Sequence, residues 1–175
     1  MTSSCIRTYT GKLVDPFDLK PEDISIRDIA HHLSLICRYT GACQFHYSVG
    51  SHSILVSQYC LPENALHGLL HDAAEAYLTD LPAPLKHSPQ FDFFRQLEFD
   101  AESVIWTKFG LNTKMPFDVK EADERAYRTE VRDIMPQMEN NWYPGREFYD
   151  TIIEYHTPRT VEKEFLKRFH ELYMP

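Results

Sequence analysis

Leu69–Lys86 reads LLHDAAEAYLTDLPAPLK, a run in which titratable side chains interrupt an otherwise apolar helical pattern. The doublet His71-Asp72 offers one imidazole nitrogen and one carboxylate oxygen, a mixture suited to Zn²⁺, Mn²⁺, Co²⁺ or Fe²⁺. A helix turns about 100° per residue, so the two side chains diverge, yet both can reach an ion lying between them. Glu75 stands four residues after the histidine and three after the aspartate, on the same side of that helix. Asp80 follows, just before Pro82 and Pro84 break the pattern. Chance supplies histidine–aspartate doublets often. This one gains weight from His52 upstream and Asp123 downstream, each in its own predicted helix. Two imidazoles and two carboxylates from three helices would hold one divalent ion and leave positions for water or a phosphate oxygen.

Outward from that stretch the helical pattern continues on both sides. Pro62 and Glu63 open the same helix, with Leu66, Leu69, Leu70, Ala73 and Tyr77 as its apolar stripe. A helix is expected over 50–60, preceded by a loop from Arg38 to Val49 that contains Gly41. From Ser25 onward Ile26, Ile29, Ala30, Leu33 and Ile36 follow helical spacing, and Ser25 with Asp28 makes a capping-box variant. The first 22 residues, rich in Tyr, Gly, Asp and Pro, read as coil or a short hairpin, so 1–24 is an N-terminal extension packed on the domain. Downstream, 90–109 is a long amphipathic helix closed by Gly110. Pro116 starts another helix running to about Met135, a loop covers 140–145, 146–156 is expected to be helical, and a charged helix spans 159–173. Nearly every element is helical. The expected fold class is therefore all-α, a compact helical bundle forming a single domain over 1–175.

A chain of 175 residues with 43% apolar and 13% aromatic side chains can bury a substantial core. Its net charge of −8 disfavours a general nucleic-acid binder. An anionic substrate would need local positive charge from a metal and a few placed Arg or Lys residues. No apolar run approaches the length of a membrane span, and MTSSCIRTYTGK lacks the apolar stretch of a secretory signal. Cys5, Cys37, Cys43 and Cys60 form no C-x-x-C pair and read as reduced thiols in a cytoplasmic protein. His31, His32, His67, His87, His156 and His170 are taken as histidines that serve structure rather than a metal.

The order of YSVGSHSILVS (47–57), LLHDAAEAYLTDLPAPLK and VKEADERAY (119–127) resembles the HD-domain phosphohydrolases. It is most similar to the small bacterial 5′-deoxynucleotidases and to phage enzymes that degrade dATP and its lower phosphates. The resemblance covers Thr10 to Arg132 and is silent on the rest. It implies an all-helical HD fold with one divalent ion (Co, Mn or Zn, with Mg or Fe as further options) on His52, His71, Asp72 and Asp123. It implies Glu75 as the acid acting on the attacking water or leaving group, with Asp80 at the sugar–phosphate end. By the same resemblance Arg38 contacts phosphate, Tyr39 packs on the deoxyribose, Pro84 lies near the base, and Lys86 faces phosphate. The implied activity is hydrolysis of 2′-deoxynucleoside 5′-phosphates, deoxyadenosine nucleotides first, with release of phosphate or triphosphate. The implied setting is a homo-oligomer in the cytoplasm, the host's if the chain is phage-encoded, with no nucleic-acid or membrane partner. Two features depart from the family: Ser51 stands where Glu is common, and the stretch from His52 to His71 is short. The rival reading is a catalytically inactive helical module that binds nucleotide or protein.

Overall fold

In the computed structural model, which describes residues 5–136 and 147–173, the N-terminal segment forms an antiparallel hairpin. Strands β1 (Ile6–Arg7) and β2 (Leu13–Val14) pair Ile6 with Val14 and Arg7 with Leu13. Asp28 latches this hairpin to the helices: its carboxylate accepts from the backbone N–H and the hydroxyl of Thr10, at 2.6 and 2.8 Å. Only half of the expected capping box therefore forms. Ser25 Oγ accepts from the Asp28 N–H at the start of α1 (Ile26–Leu35), while the Asp28 side chain turns to the hairpin.

The remaining elements are helices: α2 (Val49–Tyr59), α3 (Ala65–Leu70), α4 (Ala83–Lys86), α5 (Asp92–Lys108), α6 (Phe117–Ile134) and α7 (Pro158–Leu172). The hairpin is the only sheet among the described residues, and the fold is mainly α-helical. Helix α2 is central, packed against α1, α3, α6 and α7. It sends Val49 into a core with Leu33, Leu69, Leu70, Ile105 and Phe165, and sends Leu55 and Val56 into a second cluster with Val119, Ala122 and Ala126. Its buried hydroxyls are paired, Ser53 donating to the Val49 carbonyl and Ser57 to that of Ala65, as burial of polar groups requires. Helix α5 ends as its glycine foretells. Gly110 has φ +72°, the Leu111 N–H reaches the Trp106 carbonyl, and the Gly110 N–H reaches that of Thr107, the paired bonds of a left-handed cap.

Two segments correct the sequence reading. The helix expected from Pro62 through Tyr77 is not continuous. A 3-10 turn (Pro62–Asn64) leads into α3, the chain opens at His71-Asp72, and a second 3-10 turn follows at Ala73–Ala76. Side chains take over the carbonyls at this break: His71 Nδ1 lies 2.8 Å from the Gly68 oxygen, and Trp106 Nε1 donates to that of Leu70 at 3.0 Å. Those oxygens need no continuing helix.

The second correction is the helix expected over 146–156, because 147–157 is a strap without helix or strand instead. Side chains of α6 satisfy the strap's backbone: Arg125 donates to the Phe148 carbonyl and Arg132 to those of Tyr149 and Thr151. Thr129 Oγ1 and Asp133 accept from the N–H groups of Tyr149 and Ile153. With these groups satisfied from the side, helical bonds are not required. The loop expected over 140–145 lies outside the described residues. No helix among the described residues is long and apolar enough to cross a membrane.

Candidate metal centre and its pocket

His52 sits near the start of α2, where Ser48 Oγ caps the helix by accepting from the Ser51 N–H. The imidazole is fully buried, and its Nδ1 lies 2.6 Å from Glu130 Oε1. A charged carboxylate only accepts, so Nδ1 carries the proton and Nε2 is the nitrogen left for a ligand. His71 repeats this arrangement with the Gly68 carbonyl as its acceptor. Both Nε2 atoms are buried without a hydrogen-bond partner.

They converge on the same carboxylates. His52 Nε2 is 2.9 Å from Asp123 Oδ1 and 3.7 Å from Asp72 Oδ2; His71 Nε2 is 3.1 Å from Asp72 Oδ2 and 3.9 Å from Asp123 Oδ1. Ligand atoms of His52, His71 and Asp72 all lie within 4.8 Å of one another. Ligands bound at about 2.0–2.2 Å to one ion stand roughly 2.8–3.6 Å apart, so these separations have the scale of a shared ion. Orphaned buried nitrogens facing carboxylates are the donor set a divalent cation takes, and His52, His71 and Asp72 fit it, with Asp123 against His52 Nε2. Asp72 and Asp123 remain partly exposed, at 23% and 42% of their side chains, which leaves one side of the cluster open to water or ligand.

The electrostatics sort the carboxyls into two kinds. Burial alone would raise Asp72, Asp123 and Glu130, but the adjacent histidines, and Arg38 beside Glu130, hold all three below the usual carboxylate range. Burial would lower His71, yet the neighbouring Asp72 lifts it to about 9. An ion at this point takes the place of that proton. Glu75 goes the other way: it is 5% exposed, its Oε2 is unpaired, and burial with Asp72 and Asp80 nearby pushes it well above the usual range. Its surroundings therefore favour the protonated form. Lys86 Nζ approaches Glu75 Oε1 to 3.9 Å, while its closer bond, at 2.7 Å, goes to Glu98.

Arg38 and Tyr39 belong to a tight turn with three successive left-handed residues, Tyr39 (φ 57°), Thr40 (φ 51°) and Gly41 (φ 80°). Arg38 Nε donates to Glu130 Oε2 at 3.1 Å, NH1 lies 3.7 Å from Asp72 Oδ2, and the Tyr39 hydroxyl donates to Glu130 Oε2. Arg38, Tyr39, Asp80, Pro84 and Tyr127 line a cavity of about 270 Å³, and Arg38 reaches from it to the cluster. The four expected ligands thus converge, Arg38, Tyr39, Asp80 and Pro84 share the cavity, and Glu75 and Lys86 lie together. Glu130, Glu98 and Tyr127 were not anticipated. Glu130 follows Asp123 by two helical turns, so the i, i+7 spacing puts both on one face of α6; that was the available signal. The histidines read as structural are engaged elsewhere: His31 with Glu162, His32 and His87 with the carbonyls of Ala76 and Ala83, His67 against Trp106, and His170 against Phe169. His156 is exposed, beside a separate cavity.

Fold and site define a mainly α-helical protein whose central helix, a broken helix and α6 bring two histidines and two aspartates to one point. No family model matches the chain. It is 36% identical over 174 residues to the uncharacterized protein YfdR of Escherichia coli (strain K12), covering 97% of this chain and 96% of the relative. It is 32% identical over 135 residues to an uncharacterized protein of Rhodobacter capsulatus, covering 72% and 68%. The chain belongs to the family of these two proteins.

Proposed function

We propose that this chain is a metal-dependent phosphohydrolase of the HD-domain type, acting on 2′-deoxynucleoside 5′-phosphates, deoxyadenosine nucleotides first. The observation that carries the reading is the pair of orphaned, buried Nε2 atoms of His52 and His71 facing Asp72 and Asp123. A buried acid whose protonated form is favoured and a cationic cavity wall stand beside them. The ion proposed is Co²⁺, Mn²⁺ or Zn²⁺, which a mixed nitrogen and oxygen donor set accepts. When bound, it would polarise a phosphoryl oxygen and lower the pKa of water.

The chain's own residues do the rest. Arg38 binds a phosphate oxygen and orients phosphorus toward the open side of the cluster. Glu75 gives its proton to the departing oxygen as that oxygen's bond to phosphorus breaks, and recovers one from the water that adds to phosphorus. Lys86 keeps the Glu75 carboxyl in place and adds positive charge near the phosphate. The cavity beyond Arg38 takes the sugar and base, with Tyr39 against the ring and Asp80 and Pro84 opposite. The proposal extends to cytoplasmic action and to a homo-oligomer, both from the family resemblance.

The test is chromatographic product analysis of dATP, dAMP, dGTP, dCTP, TTP and ATP, each incubated with the protein and Mn²⁺ or Co²⁺. Deoxyadenosine with triphosphate marks one-step cleavage, and consumption of dAMP marks stepwise loss of phosphate. Asp72→Ala should abolish turnover and bound metal together. Stoichiometric metal without turnover of any substrate would move the reading to a binding module.

A further inference from the structure

We propose that Glu130 is a positioning residue that joins the metal ligands to the anion-binding arm, one carboxylate oxygen serving each. The inference rests on the phosphohydrolase reading only in naming phosphate as the anion. Glu130 is fully buried. Its Oε1 lies 2.6 Å from His52 Nδ1, and its Oε2 accepts from Arg38 Nε at 3.1 Å and from the Tyr39 hydroxyl. No other carboxylate among the described residues is recorded with both a metal-facing imidazole and the cavity arginine as hydrogen-bond partners.

Position in the chain explains how one side chain can serve both. Asp123 and Glu130 lie on one face of α6, about 10.5 Å apart along the axis. Asp123 meets His52 at Nε2 and Glu130 meets it at Nδ1, so the ring is held between two carboxylates of a single helix. The Nδ1 contact selects the tautomer that leaves Nε2 free and sharpens its basicity, the role outer carboxylates play at metal-bound histidines. The contact to Arg38 leaves NH1 on the ligand side, 3.7 Å from Asp72 Oδ2. It also anchors a turn whose backbone is left-handed at three successive residues. Burying a carboxylate is costly, and an ion pair that served packing alone could give way to apolar side chains without loss. Glu130 meets both requirements of the site with a single group.

Binding of a cation at His52 and of an anion at Arg38 are then linked through it. The test uses the full chain stripped of metal. Co²⁺ titration, read by visible absorption, measures the ligand cluster; inorganic phosphate titrated into Co²⁺-loaded protein measures the arm. Glu130→Gln cannot accept from both partners while donating from its amide. It should fold, weaken Co²⁺ binding by about 10–100-fold, and weaken phosphate binding by about tenfold. In an Arg38→Met background the same substitution should still weaken Co²⁺ while leaving phosphate binding unchanged.

A Glu130→Gln protein with a lowered Tm but wild-type affinities for both probes overturns the proposal. Should that variant not fold, ¹⁵N-histidine NMR of the wild type decides. In the Zn²⁺-loaded protein His52 must show Nδ1 protonated toward Glu130 and Nε2 bound to the metal, and the reverse arrangement overturns it. A wild type that binds both probes but hydrolyses no deoxynucleotide defeats the proposed function alone. A wild type that binds no divalent ion defeats both.

Discussion

Glu75 differs from Asp72, Asp123 and Glu130 in being pushed above rather than below the usual carboxylate range, so that its protonated form is favoured. A neutral acid near a phosphoester is suited to protonating a departing oxygen, a task worth about 10²–10⁴ in rate. Glu75→Gln should keep its metal and lose kcat by about that factor; metal content and steady-state hydrolysis of dAMP check both halves. Glu102 on α5 offers a cleaner readout of the local field. Burial, then Glu98 and Asp72, push it from 4.5 up to about 8, with His71 and Lys86 opposing. A carboxyl whose folded pKa is raised contributes fully to stability below its unfolded value, and loses that contribution as pH rises through about 8. Glu102→Gln should therefore raise Tm at pH 8 and leave it unchanged at pH 4. Added divalent cation should shrink the gain by neutralising Asp72. Equal gains at both pH values in a melting series would contradict this.

At this scale the ligand residues were legible because His-Asp doublets are chemically conspicuous. Glu130 was not, because KEADERAYRTEVRD looks like a solvated acidic face until the helix is packed. Its burial depends on α2 and the Arg38 turn arriving from elsewhere in the chain. No local pattern records that arrival.

Between elements, the consequential contact is that of α2 with α3. A Cβ on Gly68 would lie 2.8 Å from Cys60 Sγ and 3.1 Å from the Ser57 Cα, so the helices touch there without room for a methyl group. The same residue presents the carbonyl that orients His71. Gly68→Ala should cost about 1–3 kcal/mol, lowering Tm by roughly 2–4 °C per kcal/mol for a chain of this size. It should also weaken Co²⁺ binding, because shifting α3 moves the His71 ring. Unchanged metal affinity in a destabilised Gly68→Ala protein would show that the ring is held otherwise. Helix starts and stops such as Ser25 and Gly110 were readable because a single residue makes them. The break at His71-Asp72 and the strap over 147–157 were not. Each exists because side chains from another helix satisfy the backbone: Trp106 at the break, and Arg125, Thr129, Arg132 and Asp133 along the strap.

Across the whole molecule, the ligands come from α2, the turn after α3, and α6, so one ion would bind three parts of the chain that only the folded state brings together. Mn²⁺ or Co²⁺ at a hundred times its Kd should then stabilise the fold by about 2.7 kcal/mol, seen as a rise in Tm that a chelator reverses. Asp123→Asn should lose most of that rise. The all-α class was legible from apolar spacing, since each long helix carries its own stripe. The meeting of residues 38, 52, 72 and 130 required the assembled bundle.

The left-handed turn at Tyr39, Thr40 and Gly41 has a further consequence. A non-glycine residue in that conformation carries about 1–2 kcal/mol of backbone energy, and Thr40, β-branched and exposed, gains nothing from burial to offset it. Glycine or asparagine at position 40 would relieve that energy while keeping the left-handed shape that brings Arg38 and Tyr39 onto Glu130. The turn thus holds a reserve of stability that one substitution would release without moving the arm.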